Sequence, residues 1–83
     1  MATKTVSVQD NKFDPLNRDA KVGDTVEWTN VGGNTHTVTA DNGDFDSGDL
    51  PPRQTFRHTF LTAGVVPYHC EKHTGMIGTV TVT

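Results

Sequence analysis

Nine residues near the carboxyl end of the chain, YHCEKHTGM at 68–76, collect most of its soft metal-binding atoms. They include Cys70, the only cysteine, and Met76, one of two methionines. His69 and His73 add two of the four histidines. Because a single cysteine excludes an internal disulfide, Cys70 is an inert core thiol, a reactive thiol or a metal ligand.

Strand periodicity indicates which of these side chains face the same way. Alternation puts Cys70 and His69 on opposite faces of their strand, and the preceding aromatic residue favours an inward Cys70. His69 is therefore the weaker ligand candidate. Gly75 permits a tight loop, which can aim the donor atoms of Cys70, His73 and Met76 at one point.

A fourth ligand must come from elsewhere in the chain. His36 opens a predicted inward-facing strand, THTVTA, beside the Gly-rich turn VGGN, and is the best-placed candidate. Two histidines, one cysteine and a weak methionine describe a blue-copper electron-transfer site. Zinc is a poorer match, because a neutral thioether adds little to its binding. The predicted metal ligands are His36, Cys70, His73 and Met76.

Composition limits the fold and the function. A chain of 83 residues supports one core, so residues 1–83 are expected to form a single domain. Eight Gly, four Pro and 33% hydrophobic residues favour a β domain with many turns. A net charge of −3 with scattered basic residues argues against nucleic-acid binding. No apolar run approaches the roughly 20 residues that would span a membrane, so a soluble domain is expected.

Apolar residues alternate with period two between turn signals, and no helix period is evident. Segment 54–60 is expected to place Phe56, His58 and Phe60 inward. Segment 10–20 is expected to be irregular, and segment 41–53 a long loop with room for one short edge strand. Six to eight short strands predict an all-β fold, a sandwich of two antiparallel sheets. The other inward pairs are Val6 with Val8, Val26 with Trp28, and Val80 with Val82.

Four stretches of the sequence resemble the cupredoxins, in particular plastocyanin and amicyanin: KVGDTVEWTN, HTVTA, FDSGDL and TAGVVPYHCEKHTGMIGTVTV. The resemblance covers nearly the whole chain, and the short gap from His73 to Met76 is similar to the ligand loop of amicyanins. It implies a Greek-key β-sandwich with one type 1 copper ion on the four predicted ligands. It also implies a monomeric electron carrier, not an enzyme, that cycles Cu(I) and Cu(II) between redox proteins acting as donor and acceptor.

The sequence departs from the family pattern near the site. Plastocyanins usually carry Asn after the first ligand histidine, where this chain has Thr37, whose hydroxyl could join the two ligand segments less fully. Lys72 replaces a frequent proline and brings a positive charge near the exposed edge of the metal. In the family the second histidine, here His73, is the port for electrons within a small surface patch. The candidates for that frame are Gly32, Gly33, Pro51 and Gly75.

Two other functions remain open. A copper storage or delivery protein would use the same ligands but would exchange the metal readily. An enzyme would use Cys70 as a nucleophile activated by His73. Such a site also needs a third group that orients the histidine and a pocket for an oxyanion, and Met76 can provide neither.

Several polar residues have an ordinary structural interpretation beside a functional one. His58 is expected to be a core or rim residue, with a smaller chance of replacing His36 as ligand. The acidic residues of the long loop are expected to be solvated, with docking of a basic redox partner as the minority interpretation. These are Asp41, Asp44, Asp46 and Asp49.

The first residues, MATKTVSV, enter strand-like alternation at once and leave no room for an export signal. From the residues alone, either the protein stays inside the cell or the chain is a mature domain with a new start. Because cupredoxins generally work outside the cytoplasm, the resemblance implies an extracytoplasmic location in periplasm, lumen or cell envelope. The chain is then expected to be a mature domain with Met1 added.

Overall fold

The computed structural model describes residues 1–83 and contains eight strands, within the predicted range of six to eight. It has no helix, and so none that is long and apolar enough to cross a membrane. In chain order the strands are β1 (Thr3–Val8), β2 (Phe13–Asp14), β3 (Asn17–Ala20), β4 (Thr25–Asn30), β5 (Thr39–Ala40), β6 (Thr55–Thr59), β7 (Gly64–His69) and β8 (Ile77–Val82).

The strands form two four-stranded sheets that pack as a β-sandwich, which confirms the predicted fold class. One sheet has the order β2-β1-β4-β6, and the other has the order β3-β8-β7-β5. Both sheets are mixed, whereas purely antiparallel sheets were expected: β1 pairs in parallel with β4, and β3 in parallel with β8. Parallel neighbours need long crossover connections. The segment from β1 to β4 supplies one by visiting the opposite sheet as β3.

Alternation along the strands builds a single core of 16 buried apolar residues between the sheets. All three predicted inward pairs belong to it. Trp28 lies fully buried at its centre, with its ring 5.4 Å from that of Tyr68 and 5.5 Å from that of Phe45. Burial raises the pKa of Tyr68 to about 12. Both Trp28 and Tyr68 are thus core aromatics.

Segment 10–20 was expected to be irregular, and this prediction is wrong. It contains β2 and β3, which lie at the edges of opposite sheets. Phe13 and Ala20 enter the core from them. The alternation is hard to see in the sequence because each strand is only two or four residues long and polar residues separate the apolar ones.

Segment 41–53 has no strand of its own, yet it helps to hold His36. The predicted strand THTVTA shrinks to β5, and His36 lies before it in an isolated bridge to Leu50. The His36 amide donates to the Leu50 carbonyl at 3.1 Å, and the Leu50 amide donates to the His36 carbonyl at 2.7 Å. Since Phe45 and Leu50 are also buried in the core, the loop is anchored to the core at two points.

Candidate metal centre

The loop between β7 and β8 closes on itself, as the glycine and the ligand spacing predict. The Cys70 amide donates to the Met76 carbonyl at 3.0 Å, and the Met76 amide donates to the His73 carbonyl at 3.3 Å. Gly75 has a positive φ of 83°, a conformation that glycine adopts without strain. These bonds bring the two ends of the six-residue step from Cys70 to Met76 together.

Three of the four predicted ligands converge at this loop. The donor atoms of His36, Cys70 and His73 all lie within 4.8 Å of one another. Cys70 Sγ is 3.7 Å from His36 Nδ1 and 3.6 Å from His73 Nδ1. The two imidazole rings lie 4.5 Å apart. His36 and Cys70 are buried, whereas His73 is half-buried and reaches the surface.

The spacing of the donor atoms fits a shared metal ion. Metal–sulfur bonds of about 2.3 Å and metal–nitrogen bonds of about 2.0 Å place two ligand atoms about 3.5–3.8 Å apart at tetrahedral to trigonal angles. Both Sγ–Nδ1 distances fall in this range.

Met76 is buried on the same loop, with only 3% of its surface exposed. Its backbone lies beside Cys70, whose amide donates to it. A buried thioether on the ligand loop is compatible with a weak fourth ligand. The ligand role of Met76, like that of the other three residues, is taken up below as a proposal.

Thr37 joins the two ligand segments, as expected from its place after His36. Its hydroxyl accepts a hydrogen bond from the Glu71 amide at 2.8 Å, and it contacts the Thr39 hydroxyl at 3.0 Å. The Thr37 amide donates to Cys70 Sγ at 3.4 Å. An amide aimed at sulfur stabilises a thiolate. A single buried residue therefore fixes the ligand loop and supports the charge of its sulfur.

Sequence reasoning missed Asp10, which contacts the far side of the His36 ring. Asp10 Oδ1 lies 3.0 Å from His36 Nε2, and the same carboxylate accepts hydrogen bonds from the amides of Gly33 and Asn34. The hydrogen bond with His36, followed by those from the two amides, lowers the pKa of Asp10 to about 2. No local motif points to this residue, because 26 positions of sequence separate it from His36.

Gly32 has a different role from the surface role that the sequence suggested. It is half-buried, and a Cβ added to it would collide with the Asp10 carboxylate, lying 2.8 Å from its Cγ. The other three candidates for the surface frame, Gly33, Pro51 and Gly75, are exposed. Asn30 stabilises the turn that contains Gly32. Its side chain donates to the carbonyls of Asn34 and Leu50 and accepts from the Gly32 amide.

The remaining two histidines lie outside the cluster. His69 contacts Asp41 through Nδ1 and Glu71 through Nε2, so both ring nitrogens are engaged. The two carboxylates, Asp41 first, raise the pKa of His69. His58 packs on the rings of Phe45, at 4.7 Å, and Phe60, at 4.8 Å. Burial lowers the pKa of His58.

The charged side chains near the site are paired locally. Lys72 forms an ion pair with Asp49 at 3.1 Å, in which both side chains are largely exposed. Asp46 accepts hydrogen bonds from the Thr39 hydroxyl and the Gly48 amide, and Asp44 pairs with Asn42. A docking role for the acidic loop stays a prediction.

The chain is similar to copper proteins over almost its entire length. The model of a family described as copper binding proteins, plastocyanin/azurin family, matches residues 2–83. Plastocyanin of Scenedesmus fuscus is 34% identical in an alignment that covers 84% of this chain and 85% of that protein.

Solved structures agree with the sequence comparisons. A purple cupredoxin from Nitrosopumilus maritimus superposes with a TM-score of 0.88 at 31% identity, covering 96% of this chain and 99% of that one. An oxidized amicyanin variant has a TM-score of 0.89 at 29% identity, covering 96% of this chain and 81% of that one.

Proposed function

The chain belongs to the plastocyanin/azurin family of copper-binding proteins, and on that premise we propose that it carries single electrons on one type 1 copper ion. The observation that carries the proposal is the convergence of His36 Nδ1, His73 Nδ1 and Cys70 Sγ within a few ångströms of one another. Met76 is the proposed weak axial ligand. Two imidazoles, a thiolate and a thioether suit copper in both oxidation states, because nitrogen favours Cu(II) and sulfur favours Cu(I).

Each ligand has a distinct task in this proposal. Copper supplies a one-electron couple, and the protein supplies a frame that changes little between its two states. Cys70 binds as thiolate, and the Thr37 amide directed at its sulfur supports that charge. His36 is held by its backbone bridge to Leu50. Since a rigid ligand set requires little rearrangement, electron transfer through it is fast.

His73 is the proposed port for electrons. It is the one nitrogen ligand that is only half-buried, while His36 is fully buried. The exposed residues Gly33, Pro51 and Gly75 are small or compact and would allow a partner to approach closely. The partners are redox proteins that donate and accept the electron. We propose that the domain acts as a monomer outside the cytoplasm.

The same ligands would serve a copper storage or delivery protein, but no contact in the site favours easy release. The Thr37 hydroxyl bonded to the Glu71 amide and the closed loop from Cys70 to Met76 both favour a site that keeps its metal. Comparison of the electron self-exchange rate with the copper off-rate separates the two functions. Slow self-exchange with fast copper loss would favour delivery.

An enzymatic role for Cys70 is not proposed. The thiol has 5% of its surface exposed and lies between two imidazoles, so a substrate has little access to it. If a thiol-alkylating reagent reacts rapidly with Cys70 in copper-loaded protein, the nucleophile hypothesis is favoured instead.

Addition of Cu(II) to the apoprotein tests the proposed site. We expect an intense blue charge-transfer band from thiolate to copper and a narrow copper hyperfine splitting in the EPR spectrum. Cys70→Ser should abolish the band, and Met76→Gln should retain copper but shift the band and the reduction potential. His58→Gln is the matched control and should leave the spectrum unchanged. Binding of copper without a blue band, or a band that survives Cys70→Ser, would refute the ligand set.

A further inference from the structure

We propose that Asp10 is a positioning residue for the metal site, whose carboxylate fixes the tautomer of His36 and lowers the reduction potential. The part of the proposal that concerns the reduction potential rests on the proposed function, whereas the part that concerns the tautomer does not. It starts from the 3.0 Å contact between Asp10 Oδ1 and His36 Nε2, on the ring edge opposite to Nδ1. Carboxylates that accept from a metal-binding histidine orient its ring and raise its basicity.

The contact determines which ring nitrogen carries the proton. An ionised carboxylate can only accept hydrogen bonds, so His36 Nε2 must be the donor. In neutral imidazole the other nitrogen, Nδ1, then carries no proton and has a free lone pair. That nitrogen is the one that lies 3.7 Å from Cys70 Sγ. Asp10 thus prepares His36 to bind a metal before the metal arrives.

Asp10 is itself held in place, which distinguishes it from an incidental surface carboxylate. Three backbone contacts, two with the Gly33 amide and one with the Asn34 amide, hold its oxygens at 3.0–3.1 Å. The chain leaves space for it, because any side chain at Gly32 would collide with the carboxylate. The β1–β2 turn and the turn before His36 therefore form a cradle for one negative charge next to the ring.

The charge of Asp10 favours the more positive copper ion. A carboxylate hydrogen-bonded to a ligand ring stabilises Cu(II) more than Cu(I), which lowers the potential. The Asp10 side chain is 40% exposed whereas His36 is fully buried, so solvent weakens this effect but does not remove it.

The tautomer can be measured without copper. In ¹⁵N NMR spectra of the apoprotein at about pH 8, we expect His36 with a protonated Nε2 and an unprotonated Nδ1. Asp10→Ala should mix the two tautomers and speed exchange of the ring proton. Asp14→Ala, a change in the same hairpin without a ring contact, should not. A proton on His36 Nδ1 in the unaltered protein, or an unchanged tautomer in Asp10→Ala, would overturn the proposal.

A pair of adjacent glycines gives a second test that leaves the charge on Asp10. Gly32→Ala should push the carboxylate off the ring and reproduce the mixed tautomers. Gly33→Ala is the matched control, because its Cβ would lie at an ordinary 3.8 Å from Asp10 Oδ2. If Gly32→Ala and Gly33→Ala give the same ring signals, displacement of Asp10 is not what sets the tautomer.

The potential tests the electrostatic part on copper-loaded protein. Asp10→Asn should weaken Cu(II) binding relative to Cu(I) by about tenfold, at the low end of the effects of such partners. For a one-electron couple this is a rise of about 59 mV. Asp14→Asn removes the same charge from the same hairpin and should shift the potential less. Equal shifts of the potential in the two variants would overturn a specific role for Asp10. If the unaltered protein does not bind copper at all, the proposed function is refuted and the tautomer result still stands.

Discussion

Replacement of Thr37 by valine should loosen the link between the two ligand segments with little change in shape. Valine has the size of threonine but no hydroxyl, so the Glu71 amide loses its 2.8 Å partner. The contact with the Thr39 hydroxyl is lost as well, although Thr39 keeps its bond to Asp46. The main cost is therefore one amide without an acceptor.

The size of the effect follows from where that amide lies. A buried donor without a partner costs about 1–3 kcal/mol. Thr37 is buried, but Glu71 is exposed, so water can partly replace the hydroxyl and the cost should be about 1 kcal/mol. In a domain of this size such a loss lowers the melting temperature by about 4–8 °C.

Thermal unfolding of the apoprotein, followed by circular dichroism, measures this cost. Thr37→Ser keeps the hydroxyl and should recover most of the loss. Thr35→Val is the matched control, since Thr35 lies two residues away and is half-buried. In copper-loaded protein, Thr37→Val should also release copper faster. If Thr37→Val and Thr35→Val melt at the same temperature, the hydroxyl does not hold the two segments together.

Three further changes test other parts of the molecule. Gly78→Ala should cost about 1–3 kcal/mol in urea unfolding, because the new Cβ would lie 2.6 Å from the Tyr68 hydroxyl; an unchanged midpoint would contradict this packing. Asn30→Ala removes three hydrogen bonds, one of them to the Leu50 carbonyl, and should cost about 3 kcal/mol at about 1 kcal/mol each. Burial lowers the pKa of His58, so the folded state binds that proton more weakly than the unfolded chain, whose histidine titrates near 6.5. The stability that His58 contributes should be complete above pH 6.5 and decline as pH falls towards its folded-state pKa, and a His58→Gln variant compared from about pH 8 to about pH 5 should lack that decline.

Local patterns were sufficient for the regular part of the fold and for the ligand loop. The alternation of Val26 with Trp28 and of Val80 with Val82 predicted buried faces that the core confirms. The ligand loop was predictable because its donors lie within seven residues and Gly75 marks the turn. These features depend on backbone periodicity and short-range geometry, which neighbouring residues determine.

Features that depend on contacts between distant parts of the chain could not be predicted from local patterns. The two parallel strand pairs arise from crossovers between sheets, and nothing in the residues of β1 specifies β4 as a parallel neighbour. Phe45 and Leu50 lie in a stretch of Asp, Gly and Pro that indicates a surface loop, yet both are buried in the core. Apolar residues isolated among polar ones carry no period from which burial could be predicted.

The sequence by itself determined that soft donors gather at 68–76 and predicted His36 as their remote partner, because residue type and spacing decide which atoms can bind a metal. Only the tertiary structure decided how His36 is held. Its bridge to Leu50 and its contact with Asp10 join segments that are far apart along the chain. Contacts of this kind depend on the packing of the two sheets, which brings the turn after β1 against the turn after β4, and no local pattern encodes that approach.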